Sequence, residues 1–165
     1  MDALLAPFHP IIVHTPLALL VFSLAFELVG LATDSEWWRK AAFLLLLIGT
    51  VGAVLAVLSG TGAEHIANRT QRIDHDAIEA HQDMGKLTMW IALGAVAARL
   101  VAFGMRQGRT LISGLALLLQ GAAVVTVVTA GLRGGNLVYQ HGAGVKVNGA
   151  YVSPRPPGER PQGES

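Results

Sequence analysis

The chain has 165 residues, of which 52% are hydrophobic and only 14% charged, with a formal net charge of +1. The apolar residues are grouped in long blocks, which predicts a single integral membrane domain. The few basic residues form no stripe, which argues against nucleic acid as a partner. The absence of cysteine excludes thiolate catalysis, iron-sulfur clusters, covalently attached haem and disulfides.

Four apolar runs are each close to the length that crosses a bilayer, about 17 to 25 residues. They predict spans at about 11–33, 41–60, 86–105 and 111–133. The predicted fold is therefore an all-α membrane protein, a four-helix antiparallel bundle with a short C-terminal hairpin or loop. Its transmembrane domain is expected to cover residues 1–152.

The first span has two candidate starting points. Thr15 is a good N-cap and Pro16 suits a first helical position, so the helix is expected to begin there. If the helix begins at Pro10 instead, Pro16 kinks it and frees the Ile12 carbonyl close to His14. Both versions give His14 an unusual backbone environment.

The second span carries small side chains at helical spacing, which lets a neighbouring helix approach closely. These residues are Gly49, Gly52, Ala53, Ala56 and Gly60. The stripe predicts helix packing, either within the chain or in a homo-oligomer.

A long loop, 61–86, is expected between the second and third spans, with a helix starting inside it. Asp76 and Glu79 have the spacing of a capping box, so this helix is predicted to run on into the third span. Its register places His81 on one face with Ile78, Gly85 and Thr88, a face that can point at the bundle axis.

The segment after the fourth span carries the strongest short hairpin signal, because apolar and polar residues alternate around Asn148 and Gly149. From Ser153 onward the chain has four prolines and several charges. This composition predicts a disordered tail at 153–165.

When the four spans alternate in direction, all six histidines reach the same side of the membrane. They are His9, His14, His65, His75, His81 and His141. We call this end of the bundle the histidine face. It is the candidate site, although His9 and His75 are expected to face solvent. A simpler alternative is that interfacial histidines cap helix ends and that nearby glycines only terminate helices.

Basic residues in the short loops predict the orientation, because Lys and Arg prefer the cytoplasmic side. Arg39 and Lys40 lie between the first two spans, and Arg106 and Arg109 between the last two. The lead before the first span has no Lys or Arg. We therefore expect a multi-pass protein of the bacterial inner membrane with both termini, and the histidine face, in the periplasm.

Four stretches are unusual in combination: His-Pro-Ile-Ile-Val-His-Thr-Pro at 9–16, Gly-Ala-Glu-His at 62–65, Ile-Glu-Ala-His followed by Gly85 at 78–85, and Gly-Asn-Leu-Val-Tyr-Gln-His-Gly-Ala-Gly at 135–144. Over about residues 8–146 the chain thus resembles the bacterial membrane family named domain of unknown function 2231. The resemblance implies four spans. Because some members are fused to c-type cytochrome or Rieske-like modules, it also implies a redox setting on the outer face, but no established activity.

The chain departs from the family's pattern at two positions. Thr15 stands where members often have an aromatic residue, and Asn136 where they often have an acid. The second departure weakens any scheme that needs a carboxylate beside His141.

Three histidines come from different helices at the histidine face: His14, His81 and His141. Imidazole is the commonest metal ligand and also an axial ligand of haem, so two of the three could hold one iron. Glycines near the helix ends leave room for a flat ring. The haem propionates would be received by Arg133, or by Arg69 and Arg72.

A competing design places a divalent ion such as zinc, iron or copper on the same histidines, with Glu64 or Glu79 as a further ligand. No His-Glu-x-x-His signature is present, so a metal hydrolase is weakly supported.

A second polar set lies inside the spans. Glu27 and Arg99 are at similar depth and are expected to pair, since a lone charge in hydrocarbon is costly. A structural ion pair is favoured over a proton relay. Gln120, in the middle of the fourth span, is expected to hold helices together.

These patterns favour a membrane redox protein that binds b-type haem at the periplasmic face between two of His14, His81 and His141. It would pass electrons between membrane quinol and periplasmic carriers, such as a cytochrome or another redox subunit. Three alternatives stay open: a divalent-metal protein, an accessory subunit of a larger membrane complex, and a transporter that uses Glu27 and Arg99. No catalytic nucleophile is recognisable, so the sequence does not decide whether the protein is an enzyme.

Overall fold

The computed structural model describes residues 2–105 and 107–154. Four long helices dominate it: α1 (His14–Ala32), α2 (Glu36–Thr70), α3 (His75–Gly104) and α4 (Arg109–Tyr139). Each of the four segments is long and apolar enough to cross a membrane, the first of them counted from Ala6. The predicted all-α membrane fold with four spans is confirmed.

The helices form a closed ring, because α1 packs against α2 and α4, and α3 packs against the same two helices. Short connections make neighbours in sequence antiparallel. The middle of the ring is filled by a fully apolar cluster that we call the apolar core. It consists of Leu20, Leu46, Ala92, Ala95, Val96, Ala123 and Val127.

The small-residue stripe of the second span faces α1. A Cβ atom at Gly49 would lie 3.2 Å from the Leu19 Cβ, and one at Gly52 would lie 3.0 Å from the Thr15 Cγ2. Such contacts are tighter than ordinary van der Waals packing, so the glycines set how closely the two helices approach. The stripe is therefore occupied within the chain.

The chain is helical well before α1. Three short turns precede it, the α-helical Asp2–Leu5, the 3-10 turn Ala6–Phe8 and the α-helical His9–Ile12. The helix start predicted at Thr15 and Pro16 is wrong, because α1 begins at His14 with no side-chain cap. Pro7 and Pro10 lie at the starts of the second and third turns, where a backbone amide would have no partner within the helix. They are therefore compatible with helix there, and helical structure begins earlier than the apolar pattern suggests.

Two helices run past the ends of their predicted spans. α2 continues to Thr70 and ends where Gln71 adopts an extended backbone (φ −131°, ψ 153°), so Glu64 and His65 lie on a helix and not on a loop. α4 likewise continues to Tyr139. Hydropathy marks the part of a helix that lies in lipid, whereas backbone hydrogen bonding continues into the polar region until a residue breaks it.

The helix predicted between the second and third spans begins at His75 and is continuous with the third span. Its N-cap is Asp74, whose carboxylate accepts a hydrogen bond from the Asp76 amide at 3.3 Å. The cap therefore lies two residues before the predicted Asp76, because Asp74 reaches the same unpaired amides.

The C-terminal segment forms the predicted hairpin, with β1 (Lys146–Val147) antiparallel to β2 (Ala150–Tyr151). Asn148 (φ 51°) and Gly149 (φ 83°) supply the two positive φ angles that a tight turn requires. Ser153 then accepts a hydrogen bond from the Arg72 amide through its carbonyl, at 3.0 Å. The rest of the predicted disordered tail, 155–165, and Arg106 of the predicted cytoplasmic loop lie outside the described residues.

Candidate functional site

A cavity of about 920 Å³ lies at the histidine face, enclosed by all four helices, the N-terminal turns and the hairpin. Its size is within the range of ligand pockets, about 300 to 1,000 Å³. Most of its lining is apolar or small. Three histidines line it: His9, His14 and His81.

His81 projects into this cavity from α3, as its shared face with Ile78, Gly85 and Thr88 predicts. Its Nδ1 lies 2.9 Å from the Ala130 carbonyl oxygen on α4. Because a carbonyl oxygen only accepts, Nδ1 carries the hydrogen. In the neutral ring the lone pair is then on Nε2.

His9 reaches the same cavity from the N-terminal turns. Its Nδ1 lies 2.9 Å from the Ser59 Oγ on α2, and the Ser59 hydroxyl donates to the Ala56 carbonyl at 3.1 Å. The serine oxygen therefore accepts from His9, whose Nε2 is left with the lone pair. The expectation that His9 faces solvent is wrong, because the N-terminal turns fold back along α2 and half bury the ring.

The His9 and His81 rings face each other across the cavity. Their centroids are 6.3 Å apart and their planes are inclined by 80°. Each ring rests on a glycine, since a Cβ at Gly60 would be 3.2 Å from the His9 Cε1 and one at Gly134 would be 3.0 Å from the His81 Cε1. A side chain at either position would be in tight contact with the ring, which would have to give by a few tenths of an ångström.

His14 is the first residue of α1 and is exposed, and it borders the same cavity. Its Nδ1 donates to the Pro10 carbonyl at 2.6 Å. All three histidines thus use Nδ1 within the protein and keep Nε2 for another partner. Histidines that bind metals or haem iron are held in this way.

Of the three histidines that the sequence put forward, the structure brings only two together. His14 and His81 line the cavity, whereas His141 is not among the described residues that do. His141 follows the end of α4, and its carbonyl accepts a hydrogen bond from the Ser153 Oγ at 3.2 Å. Of the remaining histidines, His65 is exposed, and His75 is half buried with its Nδ1 enclosed, which differs from the solvent-facing position expected of it.

The predicted arginines do not line the cavity. Arg133 donates to the Ala80 carbonyl at 2.6 Å and so ties α4 to α3. Arg69 is exposed in the last turn of α2. Two lysines line the cavity instead, Lys86 on α3 and Lys146 on β1.

The carboxylates of the alternative metal site are also not gathered around one point. Glu64 lines the cavity but accepts a hydrogen bond from Gln82 Nε2 at 2.6 Å, and Glu79 is exposed. Within residues 2–105 and 107–154, no group of three or more His, Asp or Glu side chains has the geometry to hold a metal ion.

A second polar region lies on the opposite side of the apolar core. Arg99 Nη2 and Glu27 Oε1 are 2.7 Å apart, and both side chains are buried. Gln120 donates to the Ser23 Oγ. We call these four residues, Ser23, Glu27, Arg99 and Gln120, the polar layer.

Four apolar helices around a histidine-lined cavity define a multi-pass membrane protein. The family model described as "Predicted membrane protein (DUF2231)" matches residues 5–147, so the chain belongs to this family. Neither the curated proteins nor the solved structures include a match.

Proposed function

We propose that the protein is a membrane redox protein that binds one b-type haem in the cavity, where His9 and His81 would hold its iron. The spacing of the two rings carries this proposal. Two imidazoles that bind one metal ion from opposite sides have centroids about 6 to 6.5 Å apart, because each metal-nitrogen bond is about 2.0 to 2.1 Å and each ring centroid lies about 1.2 Å beyond its nitrogen. The observed separation is 6.3 Å.

The hydrogen bonds behind the two rings support the same assignment. Donation from Nδ1 to the Ser59 hydroxyl and to the Ala130 carbonyl fixes each ring's rotation and makes Nε2 more basic. Each acceptor belongs to a membrane-spanning helix, so the two ligands are held on rigid elements. His14 has the same tautomer but is more exposed, and its ring is not paired with that of His81.

The walls of the cavity suit a flat apolar ring with acidic side groups. Gly85 and Gly135 both line it, and a Cβ at either position would meet no atom within 4 Å. This leaves open space between α3 and α4. Lys86 and Lys146 also belong to the lining, and we propose them as the partners of the propionates in place of the arginines. In the protein alone, Lys86 pairs with Asp83 at 3.8 Å, and the Lys146 ammonium lies 4.5 Å from the centroid of the Tyr151 ring.

A bound haem supplies one-electron chemistry, and the protein supplies its position and surroundings. The cavity lies where the apolar part of the bundle ends, within reach of both lipid-soluble and water-soluble partners. We therefore propose electron transfer between membrane quinol and a periplasmic carrier. The basic loop residues Arg39 and Lys40 support a periplasmic histidine face in a bacterial inner membrane.

A divalent metal ion on the same histidines is the main competing proposal. It is less well supported, because a protein site for such an ion usually has three or four protein ligands. An accessory subunit would need no cofactor in the cavity.

The proposal is tested by titrating the purified protein, in detergent, with haem. Wild type should take up one haem per chain and show the Soret and α bands of a six-coordinate low-spin b-type haem. His9→Ala and His81→Ala should each lose the low-spin spectrum. His65→Ala and His141→Ala are matched controls at the same end of the bundle and should retain it.

Two results would overturn the assignment. One is wild-type protein that takes up no haem. The other is loss of the low-spin spectrum in His141→Ala with retention in His9→Ala. Metal analysis of the same preparations identifies the competing case, since stoichiometric zinc or copper in colourless protein would select it.

A further inference from the structure

The polar layer is buried more completely than the cavity. Its relative exposures are 0% for Ser23, 1% for Gln120, 2% for Glu27 and 7% for Arg99. Three of the four helices contribute side chains, and α2 contributes the Ala42 carbonyl, which accepts from the Ser23 hydroxyl at 2.9 Å. The proposed haem site uses none of these groups.

The hydrogen bonds fix the orientation of the Gln120 amide. Because the Ser23 hydroxyl donates to the Ala42 carbonyl, its oxygen is free to accept from Gln120 Nε2. The amide oxygen therefore points away from Ser23, and Oε1 is buried without a hydrogen-bond partner among the described residues. Arg99 Nη2 is likewise buried without a hydrogen bond, although it forms the ion pair with Glu27. A permanent Glu27–Arg99 pair gives no reason to bury this spare acceptor.

We propose that Glu27 is a proton-exchanging site and that Gln120 Oε1 is the acceptor for Arg99 when Glu27 is protonated. Ser23 and Glu27 are four residues apart on α1, so Gln120 and Arg99 meet this helix about 6 Å apart along its axis. Arg99 carries five N–H donors on a long stem and can turn from one acceptor to the other. A proton from water adds to the Glu27 carboxylate, and the net charge of the layer rises from zero to +1.

The polar layer lies nearer to the Arg39 end of the bundle than to the histidine face. Glu27 is five residues, about 7.5 Å, from the end of α1. There Gly30 abuts the stem of Arg39, whose guanidinium pairs with the exposed Asp34 at 3.2 Å. Toward the histidine face the apolar core seals the layer. The shorter distance from Glu27 to a helix end is thus on the Arg39 side and not on the cavity side, and the inference does not depend on haem binding.

Dicyclohexylcarbodiimide tests this inference, because it adds to a protonated carboxyl group buried in apolar surroundings and does not add to a carboxylate. We expect the folded wild-type protein to be labelled at Glu27, as measured by peptide mass spectrometry, and labelling to increase as the pH is lowered. The charged groups that bear on this carboxyl are Arg99 directly, and Arg39 and Asp34 at the end of the bundle. Glu27→Gln provides the blank.

Gln120→Leu tests the role of the spare acceptor, since leucine has a similar volume and no oxygen. Labelling should decrease several-fold, because Arg99 then has no acceptor other than Glu27. Gln140→Leu, an exposed change just after the same helix, should label as wild type. Thermal unfolding of each variant shows which variants are folded. The pH-dependent labelling of wild-type Glu27 tests the proposal even if no variant folds.

A permanent ion pair would give a different pattern. Glu27 would be labelled after unfolding in dodecyl sulfate but not in the folded protein at any pH, which would overturn the proposal. Labelling of folded Gln120→Leu at the wild-type rate would overturn the role given to Gln120. Haem uptake should be unchanged in Glu27→Gln. Failure of the proton-exchange proposal can therefore be distinguished from failure of the haem proposal.

Discussion

The histidine cavity and the polar layer place polar groups inside the same apolar bundle in opposite ways. In the cavity, His9, His14 and His81 each use one ring nitrogen within the protein and leave the other free. In the layer, Glu27 and Arg99 use each other, and Gln120 uses Ser23. The cavity thus presents ring nitrogens to its interior, whereas the charged groups of the layer pair with each other and leave Arg99 Nη2 and Gln120 Oε1 without hydrogen bonds in the part of the chain that the structure describes.

The histidine cavity and the polar layer also differ in how closely their helices pack. Gly60 and Gly134 seat the two histidine rings, and Gly85 and Gly135 border open space. At the polar layer, by contrast, the helices approach until Ser23 and Gln120 are fully enclosed. Glycine therefore creates volume at the cavity, and its effect there can be tested separately from the charges of the layer.

The largest expected effect comes from breaking the ion pair. Arg99→Glu or Glu27→Arg alone should destabilise the folded protein by about 3 to 5 kcal/mol, because each leaves uncompensated buried charge. The double reversal should recover most of this loss, as measured by thermal unfolding in detergent. If the double variant is no more stable than the single ones, the two residues act independently.

A smaller effect should follow from filling the space beneath His81. In Gly134→Ala the new Cβ would lie 3.0 Å from the His81 Cε1, so the ring must give by a few tenths of an ångström, which strains its hydrogen bond to the Ala130 carbonyl. Haem affinity should fall by about 10- to 100-fold, the usual effect of disturbing a ligand's supporting hydrogen bond. Gly121→Ala is the matched control on the same helix, because its Cβ would meet no atom within 4 Å. Equal haem affinities in Gly134→Ala and Gly121→Ala would contradict the proposed contact between Gly134 and the His81 ring.

The smallest effect is expected at Ser59. Ser59→Ala removes the oxygen that accepts from His9 Nδ1, but it also releases the Ala56 carbonyl, to which Ser59 donated. That carbonyl can take over as acceptor, so we expect haem affinity to fall by no more than about tenfold. Loss of all binding would show that the serine hydroxyl itself is required.

The features that depend on local sequence could be predicted. Four apolar runs are enough to indicate four membrane helices, and Asn148 with Gly149 is enough to indicate the hairpin turn. The end of the bundle at which His81 lies follows from counting spans, and its direction follows from the helical face it shares with Ile78 and Gly85.

The features of the site that could not be predicted depend on contacts between residues that are distant in sequence. His9 joins the site because the N-terminal turns fold back onto Ser59, 50 residues away, and no short pattern shows this. His141 was expected in the site, but it is not among the described lining residues, although Tyr139, Ala143 and Gly144 around it are. Gly60, one residue after Ser59, was a usable signal, since an interfacial glycine can indicate a close ring.

Electron paramagnetic resonance of the haem-loaded ferric protein tests the central claim most directly, because it reports both the number of imidazole ligands and the angle between their planes. The His9 and His81 rings are inclined by 80°. We therefore predict the strongly anisotropic low-spin signal of two nearly perpendicular imidazoles, whose largest g value lies far above that of a parallel pair. His9→Ala and His81→Ala should each convert this signal to another form. A high-spin signal in the wild-type protein, or an unchanged low-spin signal in both variants, would contradict the assignment.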